Sequence, residues 1–467
     1  MDTSLQKTIS TAWHKSKWII KGFIIGLMAL IMMIPMLYVK DLVFERQERQ
    51  KEAAREITSK WAGPQNIIGP VIGIPFWKAD GTDTALKKSG TKHIAYFLPD
   101  SLEITAVVTP REKHRGIFKV MLFETRITIK GSFQELAIGK LDIAADQFIW
   151  NEAFVTMSIA DNKGLNDQLT IQWKDSTLEL SPQPGQGNDG MSALLKATSM
   201  DDFRNTRFHT SIDLNGSEQL LFTPVGKSTI VHVNSTWEHP SFSGSMLPQT
   251  TGVNTSGFKA MWKSMSHKRN FPQQWVDNAY TLTHYFPKPA TGNEVRFDGS
   301  SRSSTVTTVS TASIGASAFG VDLFIPVNGY QKTLRTIKYA LLCILLTFVA
   351  FFLIETGNEK SAHPFQYGLI GLALILFYTL LLSISEYTGF NTAYLLAAGA
   401  TVGLIAWFVR SILQSAKATT ILSVVLVLIY SYVFSLLQLQ DYSLLLGSIG
   451  LFLTLAVVMF FSKKMQW

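Results

Sequence analysis

Cysteine and charge are both scarce in this 467-residue chain. Cys343 is the single cysteine, so no disulfide can form within the chain, and any part in an oxidising compartment must be held by packing. Only 16% of the residues are charged, below the about 25% usual in soluble domains, whereas 47% are hydrophobic. These values exclude a disordered, collagen-like or mainly coiled-coil chain.

A strong charge of one sign is also missing from most of the chain. The net charge is +8, of which residues 1–21 carry +3 and residues 339–467 carry +1. The remaining +4 is spread over residues 22–338, which is too dilute for a basic patch that binds nucleic acid. We therefore expect no nucleic-acid partner.

Recognisable motifs for cofactors, metals and catalysis are missing as well. Residues 185–190 match G-x-G-x-x-G, but Pro182 and Pro184 precede them where a dinucleotide site needs a strand. Seven histidines lie between residues 93 and 284, and none belongs to a metal-binding motif. The sequence therefore predicts no cofactor, no metal and no enzymatic activity.

Six long apolar runs are present instead. They occupy residues 18–39, 337–354, 365–385, 387–409, 418–440 and 442–462. Each has the roughly 18 residues that a transmembrane helix needs. The first run is longer than the about 7–15 apolar residues of a signal peptide, so we expect an uncleaved anchor. The sequence predicts six transmembrane helices, one N-terminal and five C-terminal.

Basic residues at the ends of these runs predict the orientation in the membrane. Four lysines lie within residues 1–21, and two more, at positions 463 and 464, follow the last run. Cytoplasmic segments are enriched in such residues, so both termini are expected in the cytoplasm. Three domains follow: residues 1–39 with the first helix, a periplasmic domain at 40–335, and a five-helix bundle at 336–467.

The predicted periplasmic domain is long enough to build its own core. Residues 42–57 are rich in helix formers and in opposite charges four apart, which predicts a juxtamembrane helix that continues the first span. Beyond it the hydrophobic period changes to two. Strands are predicted at residues 118–131, 153–159, 169–173, 206–214, 228–234 and 280–284, and a short helix at 191–197. The fold class is therefore an α+β membrane protein, with the β-rich domain inserted between the first and second spans.

Residues 237–248 form the most unusual segment of this domain, because aromatic residues, two prolines and a glycine follow one another closely. A catalytic interpretation makes His239 the base and Ser241 the nucleophile. We favour a structured loop that offers a binding edge.

Glu386 lies between two apolar runs and can be interpreted in two ways. As an intramembrane carboxylate it would indicate transport, together with Pro35 in the first run. As a residue beside Tyr387 at the outer interface it would lie in a turn. The lack of a convincing internal repeat favours the second interpretation.

Two stretches carry residue patterns of a known family, within a similarity that extends over nearly the whole chain. The first comprises Trp237, His239, Pro240, Ser241, Phe242, Gly244, Leu247 and Pro248. The second comprises His363, Pro364, Gln366, Tyr367, Ser385 and Glu386. In these stretches the chain resembles the CreD family of bacterial inner-membrane proteins. The resemblance implies a protein that is induced with envelope stress and tied to tolerance of colicins and β-lactams, and it implies no known catalytic residues.

We therefore expect a non-enzymatic inner-membrane protein that maintains cell-envelope integrity under stress, as a scaffold or binding module. Its expected partners are the lipid bilayer and an envelope component or protein at the periplasmic domain. One alternative is a transporter of lipids or small molecules that uses a cavity in the helix bundle. A third possibility is a periplasmic hydrolase that uses His239.

Overall fold

The structure, a computed structural model, describes residues 21–78, 91–182, 190–287, 312–323, 329–357 and 362–438 and a few positions between 445 and 459. The chain forms two compact units. One comprises residues 1–53 and 327–467, and the other comprises residues 54–326. The sequence predicts domain boundaries at 39/40 and 335/336, whereas the two units divide at 53/54 and 326/327. The first unit is helical, and the second contains every described strand.

Six α-helices are described. They are α1 (Lys21–Lys60), α2 (Gly329–Lys338), α3 (Ala340–Gly357), α4 (Pro364–Thr388), α5 (Phe390–Leu413) and α6 (Ala416–Gln438). All except α2 are long and apolar enough to cross a membrane, which gives five candidate spans within the described ranges. The sequence predicts six. The difference is the predicted run at 442–462, most of which lies outside the described residues.

The ends of α4 and α5 follow from local sequence. Pro364 begins α4, where its missing N–H removes no helical hydrogen bond. Gly389, with a φ of 84°, separates α4 from α5. Gln414 takes a left-handed conformation after α5, and its N–H bonds to the carbonyl of Arg410.

Buried aromatic side chains pack α4, α5 and α6 together. The Tyr394 hydroxyl on α5 donates to the carbonyl of Tyr430 on α6 at 2.8 Å. The Phe377 ring on α4 lies 5.3 Å from the Tyr394 ring and 4.7 Å from the Tyr430 ring. Cys343 on α3 is also buried, with 4% of its surface exposed. The lone thiol is therefore part of the helical core.

Helix α1 contains both the first predicted span and the predicted juxtamembrane helix. A single turn residue, Met32, interrupts it, and the helix is continuous from Met33 to Lys60. Pro35 lies three residues beyond that turn, and a proline cannot donate the hydrogen bond to the carbonyl four residues earlier. The charged half is stabilised by pairs four residues apart, such as Arg49 with Glu45 at 2.6 Å.

Nineteen strands are described in the second unit. They are β1 (Gln65–Lys78), β2 (Thr91–Phe97), β3 (Ser101–Arg115), β4 (Phe118–Phe133), β5 (Phe154–Ile159), β6 (Thr170–Trp173), β7 (Ser176–Glu179), β8 (Ser181–Pro182), β9 (Met191–Leu194), β10 (Thr206–Ser217), β11 (Gln219–Phe222), β12 (Ser228–Ser235), β13 (Ser241–Gly244), β14 (Thr250–Asn254), β15 (Gly257–Met265), β16 (Gln274–Val276), β17 (Tyr280–Thr281), β18 (Ala312–Ser313) and β19 (Phe319–Asp322).

Two large sheets enclose the core of this β-rich domain. The nine-stranded sheet has the order β13-β19-β11-β1-β5-β9-β8, with β2 also paired to β1 and β16 paired to β2. The eight-stranded sheet has the order β14-β15-β12-β3-β4-β10-β6-β7. Side chains of both sheets, such as Ile67 and Val321 from one and Ile104 and Val231 from the other, belong to one hydrophobic core. The apolar faces of both sheets are thereby removed from water.

Every strand that the sequence predicts coincides with an observed strand, although only residues 280–281 of the predicted strand at 280–284 are extended in β17. The short helix predicted at 191–197 is wrong, because Met191–Leu194 form β9 and pair with β5. Pairing with a buried neighbouring strand determines the conformation of so short a segment, because a helix of one or two turns has little stability of its own.

Candidate functional site

The segment at 237–248 contains a strand at the edge of the nine-stranded sheet. Ser241–Gly244 form β13, which pairs antiparallel with β19 and has no second neighbour in the described sheet. The Phe242 ring packs against Trp262 and Phe258, with centroids 5.7 and 5.9 Å away. The edge is therefore fastened to the core through Phe242.

The polar side of β13 contacts a buried carboxylate, Asp322 on β19. Asp322 has no exposed surface, and its Oδ1 accepts hydrogen bonds from Ser243 Oγ at 2.7 Å and Gln219 Nε2 at 3.0 Å. Its Oδ2 has no hydrogen-bond partner among the described residues. Burial raises the pKa of Asp322, and the two hydrogen bonds oppose that rise.

The end of the same segment is held by backbone contacts. Gly244 has a φ of 98°, and a Cβ there would lie 2.3 Å from the carbonyl oxygen of Ala318. Ser245 donates its N–H to the same carbonyl at 2.8 Å and its hydroxyl to the carbonyl of Ser317 at 2.6 Å. Only glycine fits position 244 without displacing this neighbour.

His239 and Ser241 are both exposed, and no hydrogen bond joins them in the described structure. Trp237 donates its indole N–H to the carbonyl of His239 at 2.8 Å, and the two rings meet edge to face. Pro240 and Pro248 are half-buried, whereas Leu247 is 75% exposed. The structure therefore does not bring the predicted base and nucleophile into catalytic contact.

Part of the second predicted stretch, His363 to Gln366, forms the start of α4. The His363 ring accepts the N–H of Phe365 at 3.2 Å, and the Gln366 side chain accepts the N–H of His363 at 3.0 Å. Together with Pro364 this is a capping box, which satisfies N–H groups that a helix start leaves unpaired.

Glu386 lies in the last turn of α4, not in a turn between spans. Its side chain is 7% exposed, and its Oε1 accepts the Tyr330 hydroxyl at 2.9 Å. Arg46 of α1 lies 3.7 Å from the same oxygen. Ser385 donates to the carbonyl of Leu382 in its own helix. Glu386 thus joins α1, α2 and α4.

A second buried carboxylate, Glu355, has matching partners at the opposite end of α4. Its side chain has no exposed surface and pairs with Lys21 of α1. The Tyr367 hydroxyl donates to Oε2 and the N–H of Ala362 donates to Oε1, both at 2.6 Å. Glu355 was not among the predicted site residues, because it directly follows an apolar run and its pairing with Lys21 joins residues far apart in the chain.

The two carboxylates tie α1 to the bundle at two separated points. At each point a cation of α1 and a tyrosine hydroxyl contact one glutamate. Lys21 and Arg46 are 25 residues apart, which corresponds to about 37 Å of helix, slightly more than the about 30 Å hydrocarbon core of a bilayer. We name these contacts the Glu355 tie (Lys21, Glu355, Tyr367) and the Glu386 tie (Arg46, Glu386, Tyr330).

A hydroxyl, an imidazole and a carboxylate are joined by hydrogen bonds in the described part of the β-rich domain, an arrangement that was not predicted. The Thr91 hydroxyl lies 3.0 Å from His93 Nε2, and His93 Nδ1 lies 2.5 Å from Asp277 Oδ2. Asp277 Oδ1 also accepts the N–H of Ile94 at 2.8 Å. These contacts fasten β2 to the residue after β16, which accounts for them without catalysis.

Metal ligands are not assembled in the described part of the chain, where no three His, Cys, Asp or Glu side chains lie close enough to hold an ion. The polar groups instead form pairs and small hydrogen-bonded sets. The 237–248 segment and the two ties are therefore the candidate functional elements.

Comparison with known proteins covers both units. A family model described as "Inner membrane protein CreD" matches residues 17–467. The inner membrane protein CreD of Escherichia coli (strain K12) is 28% identical over 447 residues, which cover 94% of this chain and 91% of that relative. The similarity thus includes the apolar helices and the β-rich domain together.

Proposed function

Since the chain belongs to the CreD family and is a multi-pass inner-membrane protein, we propose that it maintains the integrity of the cell envelope under stress, as a non-enzymatic scaffold or binding module. The observation that carries this proposal is the family match over residues 17–467. The β-rich domain binds or organises an envelope component, and the helices anchor it in the lipid bilayer.

The proposal places the β-rich domain in the periplasm, and the ties support that orientation. Lys21, the end of α3 and the start of α4 share the Glu355 tie, whereas Arg46 and the end of α4 share the Glu386 tie. This is the order expected of helices that cross a membrane alternately. Because cytoplasmic segments are enriched in basic residues, the lysine-rich N-terminus supports a cytoplasmic position for the Glu355 tie.

Reporter fusions test the orientation. Alkaline phosphatase fused near residue 200 is expected to be active, because the enzyme folds only in the periplasm, while a fluorescent protein that folds only in the cytosol stays dark there. The reverse result would overturn the orientation and the function built on it.

Deletion and complementation test the role itself. A host that lacks the gene is expected to be more sensitive to detergents, β-lactams and bacteriocins, and the wild-type chain restores resistance. A His239→Ala variant is expected to restore it equally well, since His239 has no catalytic contact. Unchanged sensitivity of the deletion strain contradicts the envelope role, and failure of the His239→Ala variant favours a hydrolase.

Transport of a lipid or small molecule is a second candidate, favoured by two carboxylates that are shielded from solvent within the helical unit. Glu355→Gln and Glu386→Gln variants test it, because each keeps a hydrogen-bond acceptor for the tyrosine and removes the charge. Loss of function in a correctly folded Glu386→Gln variant supports transport, whereas full function removes its main support.

A further inference from the structure

An open pocket of about 490 Å³ lies where the 237–248 segment meets β15 of the eight-stranded sheet. Met246, Leu247 and Gln249 line one side, and Lys263, Met265 and Lys268 line the other. Core-facing and outward residues alternate along β15, with Trp262 and Ser264 buried and Lys263 and Met265 exposed. The pocket therefore opens on the outer face of this sheet, away from the hydrophobic core.

The apolar part of the lining is unusually exposed. Leu247 is 75% exposed and Met265 is 37% exposed, although both are large hydrophobic side chains. Methionine side chains are flexible and polarizable, so they adapt to ligands of irregular shape. Exposed apolar residues that cluster around a concavity indicate a binding surface. The pocket can therefore hold a flexible apolar chain.

The charged part of the lining has one sign. Lys263 and Lys268 are exposed, no carboxylate lines the pocket, and neither lysine forms an ion pair within the described structure. Two ammonium groups beside an apolar surface attract a ligand with a negative group at one end. Among the described residues no aromatic ring lines the pocket, so they offer no stacking surface for nucleic-acid bases.

We propose that this pocket binds an anionic amphiphile, an acyl chain that ends in a phosphate or carboxylate. Lys263 and Lys268 contact the headgroup, and Met246, Leu247 and Met265 contact the first part of the chain. The volume lies within the about 300–1,000 Å³ of small-molecule sites. The inference deepens the proposed function, on which it rests, because it names the chemistry of the envelope component.

The segment at 237–248 has a defined part in this proposal. The Ser243–Asp322 hydrogen bond fastens its first half to the nine-stranded sheet, and the Phe242 ring packs against Trp262 of β15. The contacts of Ser245 with Ser317 and Ala318 hold the point where the chain turns away from that sheet. Met246 and Leu247 follow at once, so their position beside β15 is fixed before a ligand arrives.

Photolabelling of the full chain tests the proposal. The protein is placed in nanodiscs of zwitterionic phosphatidylcholine and exposed to a diazirine-bearing lysophosphatidic acid below its critical micelle concentration. Labelled peptides are mapped by mass spectrometry, and lysophosphatidylcholine with the same chain and diazirine is the matched probe. Labelling is expected at residues 246–249 and 263–268, at least fivefold stronger with the anionic probe.

Variants locate the two halves of the site. The K263Q/K268Q double variant is expected to lose at least fivefold of the labelling, and Leu247→Ser at least threefold. Lys259→Gln is the matched control, because Lys259 is exposed on the same face of β15 and does not line the pocket. Its labelling stays within twofold of wild type. A melting temperature within about 2 °C of wild type confirms that each variant is folded, as exposed substitutions predict.

A second arm distinguishes the source of the ligand. The same headgroup and diazirine are built into a two-chain phosphatidic acid of the nanodisc bilayer. Labelling of the pocket from the bilayer assigns a membrane lipid, and labelling from solution alone assigns a free amphiphile; both support the proposal.

Equal labelling by the two headgroups, unchanged labelling of K263Q/K268Q, or labelling confined to the free edge of β14 overturns the proposal. The result is independent of the deletion phenotype, so failure of the site and failure of the envelope role are distinguishable.

Discussion

Two buried carboxylates of this protein have opposite surroundings. Glu355 contacts a cation, a tyrosine hydroxyl and a backbone N–H, whereas Asp322 contacts only neutral donors and leaves one oxygen unpaired among the described residues. Removing the partner of a buried charge destabilises the folded state, because the remaining charge is left buried and unpaired. A buried carboxylate without a cation already destabilises the folded state of the wild type. Substitution at the two positions should therefore have opposite effects.

Glu355→Ala is expected to destabilise the helical unit by about 3–5 kcal/mol, because it leaves the mostly buried Lys21 ammonium without its carboxylate. Thermal unfolding of the purified chain in detergent measures the loss. Replacing Lys21 by Met in the same variant should restore part of it. Glu45→Ala is the control, since Glu45 is 54% exposed, and should change stability by less than about 0.5 kcal/mol. Equal losses at both glutamates would contradict the Glu355 tie.

Asp322→Asn is expected to change how stability depends on pH. Burial raises the pKa of Asp322, so the native state holds its proton more tightly than the unfolded chain. The wild type therefore loses stability relative to the variant as pH rises from the ordinary aspartate pKa through the raised one. The melting temperature of Asp322→Asn minus that of wild type should be larger at pH 7 than at pH 4.

Asp213→Asn is the matched comparison for that experiment. The hydrogen bond from the Arg126 guanidinium lowers the pKa of Asp213. The ionised carboxylate therefore stabilises the folded chain above the ordinary aspartate pKa, and this stabilisation is lost as the pH falls through the lowered pKa. Asp213→Asn should therefore lower the melting temperature at pH 7, and less so in acid. The same trend with pH for both variants would contradict the assignment for Asp322.

At the scale of elements, burial pattern alone did not decide which strands were predicted: β5 is buried at every position and was predicted, whereas β3 alternates and was missed. β10 and the second half of β4 show the period of two in their burial, and the sequence predicts both strands. β1 is buried at twelve successive positions, and such a run carries no alternation to recognise. The contact of Ser243 with Asp322 joins residues 79 apart in the chain, which local patterns cannot reveal. The prediction of an ordered 237–248 segment came from its composition, and its register on β19 required the structure.

Gly244→Ala is expected to destabilise the β-rich domain by about 1–3 kcal/mol, because position 244 has a positive φ and the added Cβ meets the Ala318 carbonyl. Gly252→Ala on β14 is the control, since a Cβ there meets nothing within 4 Å. Limited proteolysis between residues 237 and 248 should accelerate in the first variant only. Equal cleavage rates would show that β13 is not held at this glycine.

At the scale of the whole molecule, composition was enough to separate helices from strands. The apolar runs and the period-two segments lie in different parts of the chain. The apolar runs form the helical unit, and the period-two segments form the unit that contains the strands. Five membrane-spanning helices are established among the described residues, and a sixth would have to come from the last apolar run. What the runs could not indicate is how α1 is held, because both ties join residues far apart in sequence.

The solitary thiol has a practical consequence. Cys343 is enclosed by the helices and makes up the chain's entire sulfhydryl content. A maleimide should therefore react slowly with the native chain and quickly once the helices separate. The rate of this reaction measures how often the helical unit opens, and it does not respond to unfolding of the sheets. A rate in mild detergent equal to that in denaturant would show that the anchor is already loose.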